Sequence, residues 1–542
     1  MDKYNIVLLE WRPEDNLFKD SLGLQYIAAV LRDAGFNVDI LVYERKEIEK
    51  VVDKILSYKP DILGIQFYSY EPKEILCIGQ QVKEKLPACY TLLGGHAATL
   101  HGELLLKLHD YIDLIIYGEG EITFRELASR LSGQQDISDC KGIIYRNNDG
   151  EIIRNPARRQ IKNLDDLPFP VKDLHSNDKD DKIGKLFNIQ TSRGCYGNCS
   201  FCVEVRIVDK KLEIWRGRSM ENVIEEMEGI CNEYPNSPIA FSIIDSAFED
   251  PEPIEKSRIK QFVTLMEQKK LKCAFSIFTR AESWKEKDIE LIRRLKKVGL
   301  FKVQIGFESG SDRILKIFHK RARVEDSITA SKLFREEGID VFGFLIMFHP
   351  YITIEDLYVN ALFLKKVDMA YYPEMWFHKV YVDSDAKIFQ QISDDHLIVG
   401  RSTDGFFYEY DFMDKRVVPI SECMQKFSAM EGPVMFQKFT VKVDNEILLY
   451  NAWKDSHSYL LEIEQEMKNF EMTLKNVYSE ISEKQYEFFI RILDLAESRS
   501  FNLEVTPIIE QWNTYLVQNA KELEKMWIIN RVSCSRKKVR II

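Results

Sequence analysis

Short apolar runs alternate with helix-length stretches over the first 131 residues. The runs have the length of β-strands and lie at Asn5–Leu9, Val38–Val42, Asp61–Phe67, Tyr90–Leu93 and Leu114–Tyr117. The segments between them, such as Leu24–Leu31 and Ile75–Leu86, carry apolar residues at helical spacing. This alternation predicts an α/β fold with a parallel, doubly wound (Rossmann or flavodoxin-like) sheet, which binds ligands beyond the carboxyl ends of its strands.

A second series of the same kind begins at residue 187. Its strand-length runs are Phe187–Thr191, Ile239–Asp245, Cys273–Phe278, Phe301–Phe307, Val341–Phe348 and a weaker run at Phe377–Val382. Helical stretches separate them. The repetition predicts a complete or partial TIM-type βα barrel, in which residues at the carboxyl ends of the strands face the ligand.

Two further segments have a different character. Residues 134–186 contain a hairpin-type turn at Arg146–Gly150 and a proline-containing stretch at Leu164–Pro170 that excludes a regular helix. Residues 455–527 show helical periodicity. We therefore expect a ligand-binding domain at 1–133, a linker at 134–186, the barrel at 187–384, and a mostly helical domain at 385–542 that serves substrate selection.

Composition narrows the function classes. A formal charge of −11 argues against general nucleic-acid binding, because no net field attracts phosphate. No apolar run reaches the length of a membrane span, and the first residues lack the pattern of a signal peptide. Ten cysteines in 542 residues are too sparse for a disulfide scaffold. We expect a cytoplasmic protein without a membrane partner.

Three of the cysteines fall within eight residues. Cys195, Cys199 and Cys202 follow a predicted strand, so they lie on a loop at its carboxyl end. Three thiolates can bind three irons of a [4Fe–4S] cube and leave the fourth iron open to a ligand. The alternatives are a zinc site or a chance cluster. Zinc prefers four ligands in paired knuckles, and the sequence has no second Cys-x-x-Cys pair.

The spacing C-x-x-x-C-x-x-C, with Phe201 before the third cysteine, resembles the signature of the radical S-adenosylmethionine (SAM) superfamily. The resemblance implies that the amino and carboxylate groups of SAM chelate the open iron. It also implies that one electron cleaves SAM to methionine and a deoxyadenosyl radical. An external electron donor such as flavodoxin or ferredoxin is expected to supply that electron.

Polar residues at the predicted strand ends agree with this resemblance. Asp245, Arg280 and Glu308 each end a predicted barrel strand, and the Gly306–Leu315 region resembles the SAM-binding fourth strand of cobalamin-type members. We expect these three residues to bind SAM. Asp245 can instead cap a helix, and Glu308 can instead form a surface ion pair. His349–Pro350 replaces the family's Gly-x-Pro pattern with a bulkier pair, which disfavours close backbone approach to a ligand there. His349 either faces the active site or has a structural, space-filling role.

Four N-terminal segments resemble the cobalamin-binding domain of class B radical SAM enzymes, namely Ser21–Ala29, Pro60–Gly64, Gly94–Thr99 and Asp113–Glu121. The resemblance implies cobalamin as a cofactor. The residues expected to bind it are Leu22, Gly23, Tyr68, Ser69, Tyr70, Gly94, Gly95, His96, Tyr117, Gly118, Glu119 and Gly120. The Asp-x-His-x-x-Gly motif of methionine-synthase-type domains is absent from the sequence, so we expect no cobalt-ligating histidine from that motif.

The resemblance favours a C-methyltransferase that acts at an unactivated carbon of a small-molecule or peptide substrate. A non-methylating radical enzyme on the same scaffold is the main alternative, and a non-catalytic cobalamin or iron–sulfur sensor is the second. A methylthiotransferase is disfavoured, because only Cys77 and Cys89 precede Cys140 and a further cluster needs three cysteines. The sequence does not identify catalytic residues.

Overall fold

The computed structural model describes residues 4–11, 21–43, 48–68, 73–172, 184–204, 215–249, 251, 255–403, 405–537 and 541. Two of the predicted cobalamin residues, Ser69 and Tyr70, lie outside this part. The chain divides into two compact units. The first comprises Met1–Lys179, Phe187–Gly194 and Glu204–Asn222, and the second Asp180–Leu186, Cys195–Val203 and Val223–Ile542. Within the described residues, no helix combines the length and apolar character needed to cross a membrane.

The first unit contains the predicted doubly wound domain. Its elements are β1 (Asn5–Trp11), α1 (Leu22–Asp33), β2 (Asn37–Tyr43), α2 (Ile48–Ser57), β3 (Ile62–Gln66), α3 (Lys73–Lys85), β4 (Tyr90–Gly94), α4 (His96–Leu108), β5 (Leu114–Ile116), α5 (Gly120–Ser132), β6 (Ile143–Arg146) and β7 (Ile152–Arg154). The first five strands are parallel in the order β2-β1-β3-β4-β5. This order confirms the flavodoxin-like prediction and places the topological switch point between β1 and β3.

The strands of this sheet are apolar because helices cover both faces. In β1 the five central residues are all buried. One face packs a core around Leu8, Phe124 and Leu127, in which α1 and α5 contribute apolar residues at helical spacing. This core packs the sheet against α1 and α5.

The predicted hairpin at Arg146–Gly150 is present, but it belongs to the first sheet. β6 pairs antiparallel with β5, with Ile144 opposite Ile115, and β7 completes the edge. The turn contains Gly150 at φ +82°, a conformation that favours glycine. The first compact unit thus extends beyond the predicted boundary at residue 133.

The chain then forms β8 (Lys185–Ile189), β9 (Ser192–Gly194), β10 (Trp215–Gly217), α6 (Met220–Glu233), β11 (Ile239–Ile243), α7 (Ser257–Lys269), β12 (Ala274–Thr279), α8 (Ile289–Lys297), β13 (Leu300–Glu308), α9 (Asp312–Ile317), α10 (Val324–Glu336), β14 (Asp340–Leu345) and α11 (Ile354–Lys366). Of these, β9 and β10 form a short antiparallel pair in the first unit. The main sheet has the order β14-β13-β12-β11-β8, in which β11 to β14 pair in parallel. The weak sixth run is reduced to a parallel bridge between Phe348 and Lys379. The predicted barrel is therefore a partial one.

The two faces of this sheet differ. Ile277 and Val303 are fully buried on the outer face, where Phe262 of α7 packs edge-on against Phe275 at 5.3 Å. Successive residues of a strand point to opposite faces, so Phe278 and Gln304, which are register partners, face inward. The inner face carries the residues of the site.

The C-terminal part is mostly helical, as predicted. Its elements are α12 (Lys387–Asp394), β15 (Ile398–Arg401), β16 (Tyr408–Tyr410), α13 (Val417–Ser428), α14 (Glu431–Trp453), α15 (Glu464–Asp494) and α16 (Phe501–Arg536). Trp453 at the end of α14 donates its indole N–H to the carbonyl of Ile239, the first residue of β11, at 2.9 Å. Asp444 of α14 accepts hydrogen bonds from Tyr372 (3.2 Å) and Tyr478 (2.8 Å). Helix α14 thus packs at the amino end of β11, and the role of this domain in substrate selection stays a prediction.

Candidate functional site

The three clustered cysteines occupy an irregular loop at the start of the second unit. None of the three forms a disulfide, and all three are partly exposed. The backbone N–H of Gly197 points to Cys195 Sγ at 3.3 Å, and Arg280 Nη1 lies 3.9 Å from the same sulfur. A Cβ on Gly197 would lie 2.3 Å from Arg280 Nη1, so a side chain at this position would displace the guanidinium. The loop therefore presents its first thiol to a guanidinium and a backbone donor.

Cys199 lies in a more buried and charged environment. Burial raises the pKa of the Cys199 thiol, while the positive charges of Lys320 and Arg280 act in the opposite direction. The loop is anchored by Ser200, whose backbone N–H and hydroxyl donate to the carbonyls of Phe318 and Ile317, both at 2.9 Å. Cys195 and Cys199 therefore lie beside cations, which suits a cluster whose thiolates carry negative charge.

The donor set is one that a [4Fe–4S] cluster can use. In the described part of the chain, no three His, Cys, Asp or Glu side chains converge on one point as the ligands of a lone ion must. The cysteines of a cube bind different iron atoms, so their sulfurs lie further apart than ligands of one ion. Three thiols on one loop can therefore serve three irons, as predicted from their spacing.

Arg280 follows β12 and is held by acidic neighbours. Its Nε donates to Glu282 Oε1 at 2.7 Å, and a second nitrogen contacts the same oxygen. The fully buried Glu249 accepts from the backbone N–H of Arg280 (2.8 Å) and from Thr279 and Ser283 (both 2.9 Å). Burial raises the pKa of Glu249. Glu249 is thus a positioning residue that fixes the strand end from which Arg280 projects.

Glu308 ends β13 in a strained conformation. Its φ is +64°, an uncommon value for a residue other than glycine, and the register with β14 shifts between Gly306 and Glu308. The carboxylate accepts from Lys320 Nζ at 3.0 Å, and a Cβ on Gly306 would lie 2.4 Å from its Oε1. Backbone strain of this kind is often found where a side chain must be aimed at a ligand.

The Glu308–Lys320 pair is closed to bulk solvent. The Lys320 side chain is only 5% exposed. Burial lowers the pKa of Lys320, whereas the charges of Glu308 and Cys199 raise it. The second effect is larger, so the pKa of Lys320 lies above its usual value. Lys320 therefore stays protonated and links the end of β13 to the thiol loop electrostatically. Glu308 is not a surface ion-pair member.

The serines after Glu308 turn away from the site. Ser309 donates to Asn360 Oδ1 at 2.9 Å and Ser311 to Asp356 Oδ1 at 2.7 Å, both on α11. Arg313 also pairs with Asp356. These buried contacts position the loop after β13. The sequence pattern had grouped the serines with the SAM-binding region, whereas their side chains serve packing.

The remaining barrel candidates differ in their surroundings. Asp245 is buried just beyond β11. His349 is fully buried; its ring packs edge-on against Phe318 at 4.8 Å and accepts from the backbone N–H of Tyr351 at 3.3 Å. Burial lowers the pKa of His349 to about 3, so the ring is neutral. The contacts of His349 favour the structural interpretation of this residue.

The cobalamin candidates lie along the carboxyl edge of the first sheet, and glycines dominate it. Gly118 is exposed at φ +75°, and a Cβ there would meet nothing within 4 Å. Cβ atoms on Gly23 and Gly94 would approach no atom closer than 3.9 Å. This edge leaves open space and bare backbone, which fits a large planar ligand. Its location at the strand ends agrees with the general rule for doubly wound sheets.

Hydrogen bonds tie the loops of this edge to one another. Gly95, at φ +98°, brings its backbone close to Phe67, where a Cβ would lie 3.0 Å from the carbonyl oxygen. Thr99 donates its hydroxyl to the Gly95 carbonyl at 2.9 Å and accepts from the Gly118 N–H at 3.1 Å. Thr99 therefore couples the loops after β4 and β5. It was not among the predicted site residues, although it closes the Gly94–Thr99 segment.

Glu119 has a different environment from the one expected. It binds Arg216 (2.6 Å) and Arg193 (3.2 Å), while neighbouring Glu121 binds Arg193 at 2.6 Å. Burial raises the pKa of Glu119, but the two arginines outweigh this effect and hold the pKa below its usual range. Its other oxygen accepts the Ile161 N–H at 2.8 Å. The carboxylate is saturated by protein contacts, so only the Glu119 backbone is available to a cofactor.

The other predicted residues of this edge vary. Tyr117 turns its ring under Arg154 (4.6 Å) and donates its hydroxyl to the Asn155 carbonyl at 2.5 Å. Leu22 is buried as the first residue of α1, whereas His96 and Gly120 begin α4 and α5 and are partly exposed. Tyr68 is partly buried just after β3. The helix starts supply backbone N–H groups that can contact polar groups of a ligand.

Comparisons with known proteins agree with this description. The family model for a B12 binding domain matches residues 19–128, and the model for the radical SAM superfamily matches residues 189–364. An uncharacterized methyltransferase of Pyrococcus horikoshii is 31% identical over 361 residues, which cover 65% of this chain and 74% of that protein. An anaerobic magnesium-protoporphyrin IX monomethyl ester cyclase of Rubrivivax gelatinosus is 26% identical, covering 58% of this chain and 56% of that protein.

The solved structures include a similar fold. The cobalamin-dependent S-adenosylmethionine radical enzyme OxsB, with aqua-cobalamin and S-adenosylmethionine bound, superposes with a TM-score of 0.71 at 17% identity. The match covers 100% of this chain and 82% of that one. At this identity the likeness supports the fold. It agrees with the predicted order of a cobalamin-type domain, a partial barrel and a helical C-terminal part.

Proposed function

Because this chain belongs to the branch of the radical SAM superfamily that carries an N-terminal B12-binding domain, we propose that it is a cobalamin-dependent C-methyltransferase acting at an unactivated carbon. The observation that carries the proposal is the presence, in one chain, of both domains together with three clustered cysteines, of which Cys195 and Cys199 lie beside cations. The methyltransferase relative from Pyrococcus horikoshii supports the reaction class.

The cofactors are a [4Fe–4S] cluster, SAM and cobalamin. When bound, the cluster supplies one electron for SAM cleavage, and cobalamin supplies the methyl group. The protein holds and orients these groups. We propose that Cys195, Cys199 and Cys202 ligate the cluster and that Arg280, Glu308 and Asp245 bind SAM, of which the guanidinium of Arg280 suits a carboxylate.

For cobalamin we propose contacts through the glycine-lined edge. The open positions at Gly23, Gly94 and Gly118 allow a flat ring to approach backbone atoms. The starts of α4 and α5 offer N–H groups to its polar substituents. The sequence contains no Asp-x-His-x-x-Gly motif, so we propose no cobalt-ligating histidine from it.

A non-methylating radical reaction is the second candidate, and the cyclase relative favours it. The two candidates differ in the products of SAM. Anaerobically reconstituted full-length protein, supplied with SAM, cobalamin and a chemical reductant, should form both deoxyadenosine and S-adenosylhomocysteine, measured by mass spectrometry. Deoxyadenosine without S-adenosylhomocysteine would favour the non-methylating reaction. Formation of neither product would contradict both and favour a sensing role.

We also propose that the electron comes from an external protein such as flavodoxin or ferredoxin, and that the enzyme works in the cytoplasm on a small molecule or peptide. The three clustered thiols can hold one iron–sulfur cluster. That cluster must be reduced again for each SAM molecule that is cleaved. Replacing the chemical reductant with reduced flavodoxin should sustain deoxyadenosine formation. Failure of every protein donor tested, with the chemical reductant still effective, would contradict the electron-donor proposal.

A further inference from the structure

The inner wall of the barrel sheet is arranged in layers across the strands. The register pairs Ser276 with Lys302, whereas one layer higher Gln304 lies beside Phe278 and Phe342. In the next layer Gly306 pairs with Phe344. Gly306 faces the Glu308–Lys320 pair, so this whole set points to the same side as the SAM-binding candidates.

The upper layer is apolar and open, and the rings of the middle layer are partly exposed. Phe344 is 40% exposed and Ile244, one residue beyond β11, is 37% exposed. The rings of Phe278 and Phe344 are nearly parallel, with centroids 6.1 Å apart at 12°, and Phe342 meets Phe344 edge-on at 5.2 Å. Barrel interiors are normally filled by their own side chains. An exposed aromatic group at this position indicates a surface that an apolar ligand covers.

The charged groups of the same wall are already neutralised. Lys302 lies 3.6 Å from Asp340 at the lower end, and at the upper end Glu308 binds Lys320 at 3.0 Å. Arg280 is paired with Glu282 and is the residue proposed above for the SAM carboxylate. A phosphate or carboxylate group of a substrate entering between these layers would therefore meet no further cation without a partner among the residues just named. The middle layer, formed by Phe278, Gln304 and Phe342, has one neutral polar group, the half-buried amide of Gln304.

We propose that Ile244, Phe278, Phe342 and Phe344 bind an uncharged, largely apolar ring system of the substrate, and that Gln304 hydrogen-bonds its one polar group. The stacked phenyl rings favour a planar ring, since aromatic groups prefer offset or edge-on contact with another ring. This inference rests on the proposed function, because a substrate in this position lies beside the groups expected to hold SAM.

The test uses the full-length protein with its cluster, cobalamin and SAM bound. The probe is a fluorinated indole, a planar ring with one N–H, and the comparator is a fluorinated sugar phosphate. Fluorine NMR measures the dissociation constant of each. We expect the indole to bind and the sugar phosphate not to bind. Binding of the sugar phosphate that depends on Phe344 would overturn the proposal.

Variants locate the binding. F344A should weaken indole binding by about tenfold, since it removes an aromatic contact from the binding surface. F344L should have an intermediate effect and guards against loss of folding in F344A. The control is F169A, because Phe169 is 38% exposed but lies in the first unit. It should bind indole as the unaltered protein does. Equal affinity in F344A and F169A would refute the site.

Two measurements separate the remaining explanations. Q304L should weaken binding of the indole but not of its N-methylated form, which has no N–H to offer. If F344A instead weakens SAM binding and leaves the indole unaffected, the wall serves SAM and the inference is wrong. SAM cleavage is assayed in the same sample: absence of deoxyadenosine refutes the proposed function, whereas a ring probe that does not bind refutes the inference.

Discussion

The carboxyl edge of the first sheet and that of the barrel sheet are built differently. The first edge offers open space at Gly23, Gly94 and Gly118, and its acidic residue Glu119 is taken up by arginines. The barrel edge instead carries thiols, a buried Glu308–Lys320 pair and a constrained Arg280. One edge presents backbone and empty space, and the other presents charges and donor atoms.

The difference follows from what each cofactor requires of the protein. A large preformed ring brings its own metal and ligands, so its site needs room and close backbone approach. An iron–sulfur cube has no coordination sphere until thiolates complete it, and its potential depends on nearby charges and hydrogen bonds. Substitutions at the two edges should therefore fail in different ways.

The largest effect is expected at the thiol loop. C199A should lose the cluster and reduce SAM cleavage to background, because two thiolates cannot hold three irons. Iron and sulfide content and deoxyadenosine formation measure this loss. The control is C77A, since Cys77 is an exposed cysteine in the first unit. A C199A protein that keeps its iron and still cleaves SAM would contradict the claim that the barrel edge, unlike the first edge, must supply ligands to its cofactor.

The second effect tests whether the ion pairs of Arg193 near the first edge stabilise the fold. Arg193 is 13% exposed and binds Glu119 and Glu121. R193M leaves a buried carboxylate without its partner, which should cost about 3–5 kcal/mol. Faster hydrogen exchange in α5 and a lower melting temperature report the loss. K332M, which removes an exposed pair with Glu336, should cost less than about 0.5 kcal/mol. Similar costs for both variants would contradict the structural role.

The third effect is a pH dependence of opposite sign for two carboxyl groups. The pKa of Glu119 is lowered in the folded state, so its contribution to stability is present above the unfolded pKa and is lost on acidification. Burial raises the pKa of Asp444 to about 7, so its contribution is present below the unfolded pKa of about 4 and is lost as the pH rises to 7.

Thermal unfolding across this pH range checks both signs. The stability of D444N relative to the unaltered protein should rise by about 2 kcal/mol between pH 4 and 7, less than a fully buried group would give. The cost of E119Q should shrink as the pH falls below about 4. Tyr372, Tyr478, Asp340 and Lys302 face Asp444 and are common to both proteins in the comparison. Shifts of the same sign in both variants would contradict the account.

The smallest effect concerns the open space itself. G118V should weaken cobalamin binding by about tenfold, since the new side chain occupies the space proposed for the ring. The matched control is G150V, because Gly150 has the similar φ of +82° and likewise no atom within 4 Å of a Cβ. Both variants carry the same backbone strain. Equal cobalamin affinities, measured by equilibrium dialysis, would exclude Gly118 from the site.

The fold was predictable because its signal is local. Each buried strand is a short apolar run and each helix repeats its own spacing, so the alternation in both halves identified the two α/β sheets. The position of β6 and β7 was not predictable in the same way. Their hairpin turn is a local signal, but the pairing of Ile144 with Ile115 depends on contacts between distant parts of the chain.

Site residues could be predicted from the sequence only where the type of side chain itself indicates the chemistry, as for the cysteines. Three cysteines at cluster spacing indicate their chemistry directly, whereas the Gly118–Glu121 segment looks the same whether Glu119 binds a ligand or an arginine. Its partners Arg193 and Arg216 are 74 and 97 residues away in sequence. Glu249 and Asn360 were missed for the same reason, since no local pattern links them to the strand ends that they hold.

The most direct test of the central claim is electron paramagnetic resonance of the reduced, anaerobically purified protein, with and without SAM. We expect a cluster spectrum that changes when SAM is added, because one iron is free to bind it, and metal and sulfide analysis of the same sample should give about four irons and four sulfides per chain. A protein that contains zinc in place of iron, or a cluster spectrum that SAM leaves unchanged, would contradict the claim.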